Sequence, residues 1–428
     1  MNYRCLSGSN EKTNALFLKL PAVLYKGEIC PQDFSTEKML LEGTHPLSGD
    51  FSVVPMIVVD DKDEPVARGL LTFYDDDENA YLGFFECIKD IKACKVLMEN
   101  AEKAARDKGK KDIIGPVDSS IWIGYRFKVF NTFSKGLDIE AYKSPDIGAY
   151  KPLDIDVYKP SDIETYKPLD IDVYKSGNDA SPEMKGIETS SFVNASLSKD
   201  ISHLVPYTGE PWNKPYYIEL WEQCGFSVWK RYYSFRLRKI TEKEGKPHYV
   251  ERVLQFRNKG YEFRNLDIKK FDRTIREIYD LLIELYASFP GYKRISYEAF
   301  YALFHNLKLI LSDKDVILIY KDEKLVAFSI SVPNFYGNLF GRMNLLKLLK
   351  ILWIKKSPKE MVYLYMGVDP SHLGLGSVMA ELIRRELYRN GRVPIKALIL
   401  ENKVTGAYYN DLLDEKMEYV LLRKTALN

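Results

Sequence analysis

The run from Met361 to Leu400 constrains the chain more than any other, because strand, glycine turn, helix and strand follow one another without a gap. MVYLYMGV (361–368) is apolar and β-prone, and Asp369-Pro370 makes a tight turn. Gly374 and Gly376 come next, two apart. Val378, Met379, Leu382, Ile383 and Leu387 then recur at helical spacing until Asn390-Gly391, and the β-branched run Val393 to Leu400 follows. A glycine turn that opens a helix aims unpaired backbone N–H groups at one point, where the helix dipole adds about half a positive charge. Glycine matters there because a Cβ would hold an anion away from the backbone. A phosphate is one expected ligand, and a plain strand–turn–helix that binds nothing is the alternative. Two familiar alternatives fail: Met379 stands at the third position of G-x-G-x-x-G, and no Gly-Lys-Ser/Thr occurs at the turn.

The order of the parts adds to this. Strand, Val-Asp-Pro, G-x-G, helix and strand lead to Glu401-Asn402, with Tyr409 seven positions beyond that Asn. This succession resembles the two central motifs of the GNAT (GCN5-related N-acetyltransferase) superfamily. Its turn, Q/R-x-x-G-x-G/A, is matched by Ser371-His372-Leu373-Gly374-Leu375-Gly376, with Ser371 where Arg or Gln is usual. The resemblance implies that acetyl-coenzyme A or a longer acyl-coenzyme A is the co-substrate. Its pyrophosphate would lie on Ser371, His372, Leu373, Gly374, Leu375, Gly376 and Ser377. Its thioester would lie in a gap beside Met366, Gly367 and Val368, and its pantetheine arm near Asn402, which would also cap the following helix. Tyr409 would be the acid that protonates the departing thiolate, with Tyr408 as a neighbour that could equally point inward. Glu401 or a water relay would be the base.

At 428 residues the chain is long enough for more than one domain, and 46% hydrophobic content supplies sizeable cores. A net charge of +2, from 62 basic and 60 acidic residues, disfavours a dedicated nucleic-acid binder. The cysteines (Cys5, Cys30, Cys87, Cys94, Cys224) form no C-x-x-C, and the other histidines are scattered, so no metal is expected. The start, MNYRCLSGSNEKTN, has no apolar run of signal-peptide type, and no stretch is long enough to span a bilayer. A cytoplasmic protein is the expectation.

The first half repeats the second half's order: strands at 51–59, 67–74 and 80–86, a helix at 88–108 and a strand at 112–117. Between its third strand and helix lies GFFECIKDIKAC, with no glycine pair. We therefore expect an α/β protein of two GNAT-like domains, each a twisted mixed sheet flanked by helices. The first takes residues 1–136 plus 186–245 and lacks a coenzyme turn; the second takes 246–428 and carries the motif. Residues 137–185 form an insertion built on LDIEAYKS, PDIGAYKP, LDIDVYKP, SDIETYKP and LDIDVYKS. Its period fits no solenoid, and its low aliphatic content offers little to bury, so disorder is expected.

The segment 206–226 packs Tyr207, Trp212, Tyr216, Tyr217 and Trp221 around prolines, either as domain core or as a wall beside a cleft. With I-G-P-V-D-S-S (114–120) it resembles a group of two-domain bacterial GNAT proteins. Near the middle of the second half, Phe340 to Ile354 is broadly apolar with lysines around it. Docking between domains or a lid, a membrane-surface contact and an acyl-chain channel all suit it.

The expected reaction is N-acylation of an amine on a small molecule or peptide, with no nucleic-acid partner. Two alternatives stay open: a FemX-like peptidyltransferase that uses aminoacyl-tRNA, and a non-enzymatic GNAT-fold binding protein. Oligomeric state is not legible in the sequence.

Overall fold

The computed structural model describes residues 2–130, 205–341 and 344–425. The octapeptide insertion lies outside these residues.

Hydrophobic alternation in the first half gives β1 (Arg4–Ser7), β2 (Ser52–Val59), β3 (Pro65–Phe73), β4 (Asn79–Cys87), β5 (Asp112–Gly115) and the short β6 (Phe127–Val129). Helices α1 (Glu11–Leu24), α2 (Phe34–Glu42) and α3 (Ile91–Asp107) cover the strands, and α4 (Tyr217–Gln223) precedes the long β7 (Ser227–Leu237). In the second half α5 (Pro247–Asn258) leads into β8 (Tyr261–Asn265), α6 (Phe271–Leu285) and α7 (Tyr297–Phe304). Then come β9 (Val316–Lys321), β10 (Lys324–Pro333), α8 (Leu345–Lys356), β11 (Glu360–Val368), α9 (Leu375–Asn390), β12 (Val393–Leu400) and β13 (Leu413–Lys424). The helix α7 stops at Phe304, where the His305 ring turns back onto the carbonyls of Tyr301 and Ala302 and a 3-10 turn follows.

All strands join one mixed sheet in the order β1-β2-β3-β4-β5-β13-β7-β12-β11-β10-β9-β8, with β6 on β13. Each half contributes antiparallel strands ending in one parallel pair, and each parallel pair is linked by a helix, as a parallel return requires. Those pairs are β4–β5, joined by α3, and β11–β12, joined by α9. In the middle the halves trade strands: β13 lies between β5 and β7, and β7 lies between β13 and β12. The last strand of each half therefore continues the other half's sheet.

Both parallel pairs open after a few residues. β4 pairs with β5 from Asn79–Asp112 to Tyr81–Ile114, and β11 with β12 from Glu360–Val393 to Tyr363–Lys396. The first opening is filled by the chain itself. A Cβ on Gly83 would overlap the Val117 carbonyl, and Asp118 Oδ1 accepts from the Phe84 N–H at 2.6 Å. Phe85, Phe127, Tyr217 and Trp221 meet edge-to-face beside it, at centroid separations of 4.9 to 6.1 Å. Tyr217 and Trp221 are fully buried, so these aromatics are core rather than a cleft wall.

The second opening has different walls. On one face α5 and α9 pack Val253, Phe256, Leu375, Val378 and Met379 over Ile317, Ile319 and Ala327. Burying each of these larger side chains contributes about 1.5–3 kcal/mol. On the other face α6 and α7 cover Leu318, Phe328 and Ile330. Loops of the two halves are clamped there: the Trp122 indole donates to the Lys293 carbonyl at 2.8 Å, and Lys293 pairs with Asp76 and Asp77.

Candidate active site

The glycine turn stands at the end of β11 as expected. The Asp369 carboxylate accepts from the Ser371 N–H (2.9 Å) and hydroxyl (2.6 Å), so Ser371 is spent on closing the turn. Those donors hold the Asp369 carboxyl below the usual carboxylate range. His372 Nδ1 lies 2.8 Å from the Tyr261 hydroxyl, and Leu373 is exposed. Gly374 adopts φ 96°, the left-handed region that favours glycine, and begins α9. No side chain caps that helix, and the Ser377 hydroxyl turns back to the Gly374 carbonyl at 2.8 Å. An uncapped helix end leaves N–H donors for an outside acceptor.

A cation stands beside the turn. Arg252, on α5, places Nη1 2.6 Å from where a Cβ on Gly374 would stand. It is exposed and has no ion pair among the described residues. A guanidinium offers an anion a fixed fork of donors. Sequence reading missed it because α5 lies more than a hundred positions before the turn it overhangs. Its signal was Pro247 at the helix start, followed by Val253 and Phe256 at helical spacing.

Two of the expected roles fall differently. Tyr409 is buried at φ 56°, and its hydroxyl donates to Glu381 at 3.1 Å. Glu381 lies inside α9, paired with Arg384 and Arg385, and Lys246 covers the Tyr409 ring. Tyr408 instead reaches the turn, and a Cβ on Gly376 would overlap its hydroxyl. Burial pushes the Tyr408 phenol up to about 12, so it stays protonated at neutral pH. Asn402 is exposed at φ 65° and caps nothing; the short turn after it begins from Lys403 without a side-chain cap. Tyr409 and Asn402 both sit in the left-handed region.

Glu401 is exposed at the end of β12 and accepts from the Tyr233 hydroxyl at 3.2 Å. Lys396, the last residue paired with β11, donates to the carbonyls of Gly406 and Tyr408 (2.8 Å each) and to Asn410 Oδ1 (3.2 Å). Burial pushes its ammonium down to about 7, with Lys246 adding to the effect. Lys396 thereby fixes the loop that carries Tyr408.

Within β11, Met366 and Val368 pack on the α9 face. Gly367 faces α6, where a Cβ would lie 2.6 Å from Phe328 and 2.7 Å from Leu285. A bulge between Ile330 and Ser331 in the pairing with β10 falls at Leu364, where β11 leaves β12. Past it, Leu398 on β12 adopts φ 58° and its carbonyl accepts from Arg126 Nη1 at 3.2 Å. Arg126, from the first half, is held between the rings of Tyr125 (3.6 Å) and Tyr232 (4.4 Å). The opening is therefore walled on the α6 side by a residue of the other half. An apolar cavity of about 30 Å³ lies beyond, between α6, α7 and the sheet, and Ile278, Leu282, Phe300, Ile330 and Tyr365 line it.

No family model and no curated protein matches the chain. Several solved structures are similar to it. A tandem GNAT protein from the clavulanic acid biosynthesis pathway aligns over 100% of this chain and 98% of its own, at 9% identity and TM-score 0.45. A conserved protein of unknown function from Enterococcus faecalis V583, a probable N-acyltransferase, covers 100% of this chain and 73% of its own, at 7% identity and TM-score 0.44. A GCN5-related N-acetyltransferase from Kribbella flavida aligns over 99% and 72%, at 9% identity and TM-score 0.41. The opening between β11 and β12 adjoins the turn at Gly374–Gly376, and the first half's equivalent opening is closed.

Proposed function

We propose that the second half transfers an acyl group from acyl-coenzyme A to an amine. One arrangement carries this reading: β11 and β12 part beyond Tyr363, next to an uncapped glycine turn that Arg252 overhangs. Gly374 and Gly376 keep the turn open to phosphate oxygens, since a side chain at either would meet Arg252 or Tyr408. The thioester would supply an activated acyl carbon within the opening. There, backbone N–H groups of β11 beyond its last β12 partner would hold the carbonyl oxygen as charge develops. Tyr408 would donate its phenolic proton to the departing sulfur as the amine nitrogen bonds to the carbon. Glu401, the carboxylate that ends β12, would take the amine's proton through water.

The test is a calorimetric titration of acetyl-coenzyme A and a longer acyl-coenzyme A into the wild type, Gly376→Trp and Arg252→Ala. Saturable binding by the wild type, abolished in Gly376→Trp and weakened about tenfold in Arg252→Ala, is expected. A wild type that binds neither thioester sinks the coenzyme reading.

A further inference from the structure

The helix α8 carries an apolar face that the fold leaves bare. Only Ile351 and Ile354 are buried, packed with Phe335 and Ile310. On the opposite side Leu345 (71% exposed), Leu346 (77%), Leu349, Leu352 and Trp353 (64%) project outward. At the angular step of an α-helix these positions, with Leu348, cover an arc of about 160°. The face extends past the helix to Leu309, itself 72% exposed, whose carbonyl accepts from Lys355 at 2.7 Å. A contiguous exposed patch of this kind marks a surface that is covered in use.

Charge identifies what covers it. The twelve residues LLKLLKILWIKK contain four lysines and no acid, in a chain whose net charge is +2. None of Lys347, Lys350, Lys355 and Lys356 has an ion pair among the described residues. Lys350 and Lys355 fall on the two flanks of the apolar arc, between it and the docked isoleucines. Flanking lysines whose stems lie along an apolar face and whose ammonium groups reach sideways suit a planar, anionic, oily surface.

We infer that α8 docks the protein onto an anionic membrane surface, with its leucines and Trp353 at the headgroup–acyl boundary and Lys350 and Lys356 on lipid phosphates. Among the described residues no helix is long and apolar enough to cross a membrane, so the contact is interfacial. It is independent of the acyl-transfer reading, since binding requires no turnover and no coenzyme.

Flotation of the full chain with vesicles tests it, comparing phosphatidylcholine alone with phosphatidylcholine containing phosphatidylglycerol. The wild type should float with the anionic vesicles and far less with the neutral ones. Leu346→Ser/Trp353→Ser and Lys350→Glu/Lys356→Glu change only exposed side chains, so both should keep the wild-type circular dichroism. Each should lower the bound fraction about tenfold, and added salt should weaken wild-type binding. No flotation of the wild type, or variants that float as well as the wild type, overturns the inference. So does a wild-type dimer in solution that Leu346→Ser/Trp353→Ser converts to monomer, which would assign the face to a second copy.

Discussion

Tyr408 and Tyr409 are adjacent in sequence and opposite in circumstance. The Tyr409 hydroxyl is committed to Glu381 inside the molecule, whereas that of Tyr408 lies over Gly376. Tyr408→Phe should therefore lower kcat about a hundredfold with little change in acyl-coenzyme A binding. Tyr409→Phe should instead cost about 1 kcal/mol of stability in urea unfolding and spare kcat. Equal kinetic losses in the two would return the acid role to the pair.

Glu86 makes a separate prediction. It accepts from the Tyr217 hydroxyl, and burial pushes its carboxyl up from 4.5 to about 7, against the pull of Arg68. Between those values the folded state binds more protons than the unfolded chain, so this group's contribution falls as pH rises from about 4.5 to about 7. Glu86→Gln should flatten that slope and be more stable than wild type at pH 8, by up to about 3 kcal/mol. Denaturation midpoints across this range, measured on both proteins, decide it.

Single elements show why some of this was legible. The turn, α9 and β12 emerged close to their expected limits because each is specified locally: Asp369 and Ser371 close the turn, Gly374 takes the left-handed conformation, and Gly391 ends the helix. The strands β2, β3 and β4 followed from short-range alternation in the same way. Arg252 was hidden because its role depends on α5 crossing α9, a contact between segments far apart in sequence. For α8, composition revealed an apolar helix with lysines but left open which side is covered. That depends on Phe335 and Ile310 meeting Ile351 and Ile354.

The whole molecule is decided by its central strands. β13 pairs with β5 of the first half and with β7 along its length, so the boundary expected near residue 246 does not divide the sheet. The described residues of both halves form one compact unit. Urea unfolding should accordingly show one transition, with the same midpoint by tryptophan fluorescence and circular dichroism. A chain ending before Leu413 should lose both halves together, because β5 and β7 would each lose a neighbour. Two separable transitions would contradict this.

The sequence alone determined the repeated strand–helix order and the glycine turn, since these rest on propensities and contacts a few residues apart. Tertiary structure decided that the first opening is plugged by Val117, Asp118 and α4, that Arg126 of one half walls the other's opening, and which tyrosine faces the turn. Those outcomes depend on close packing between distant segments, where an overlap of one atom settles which side chain occupies a space.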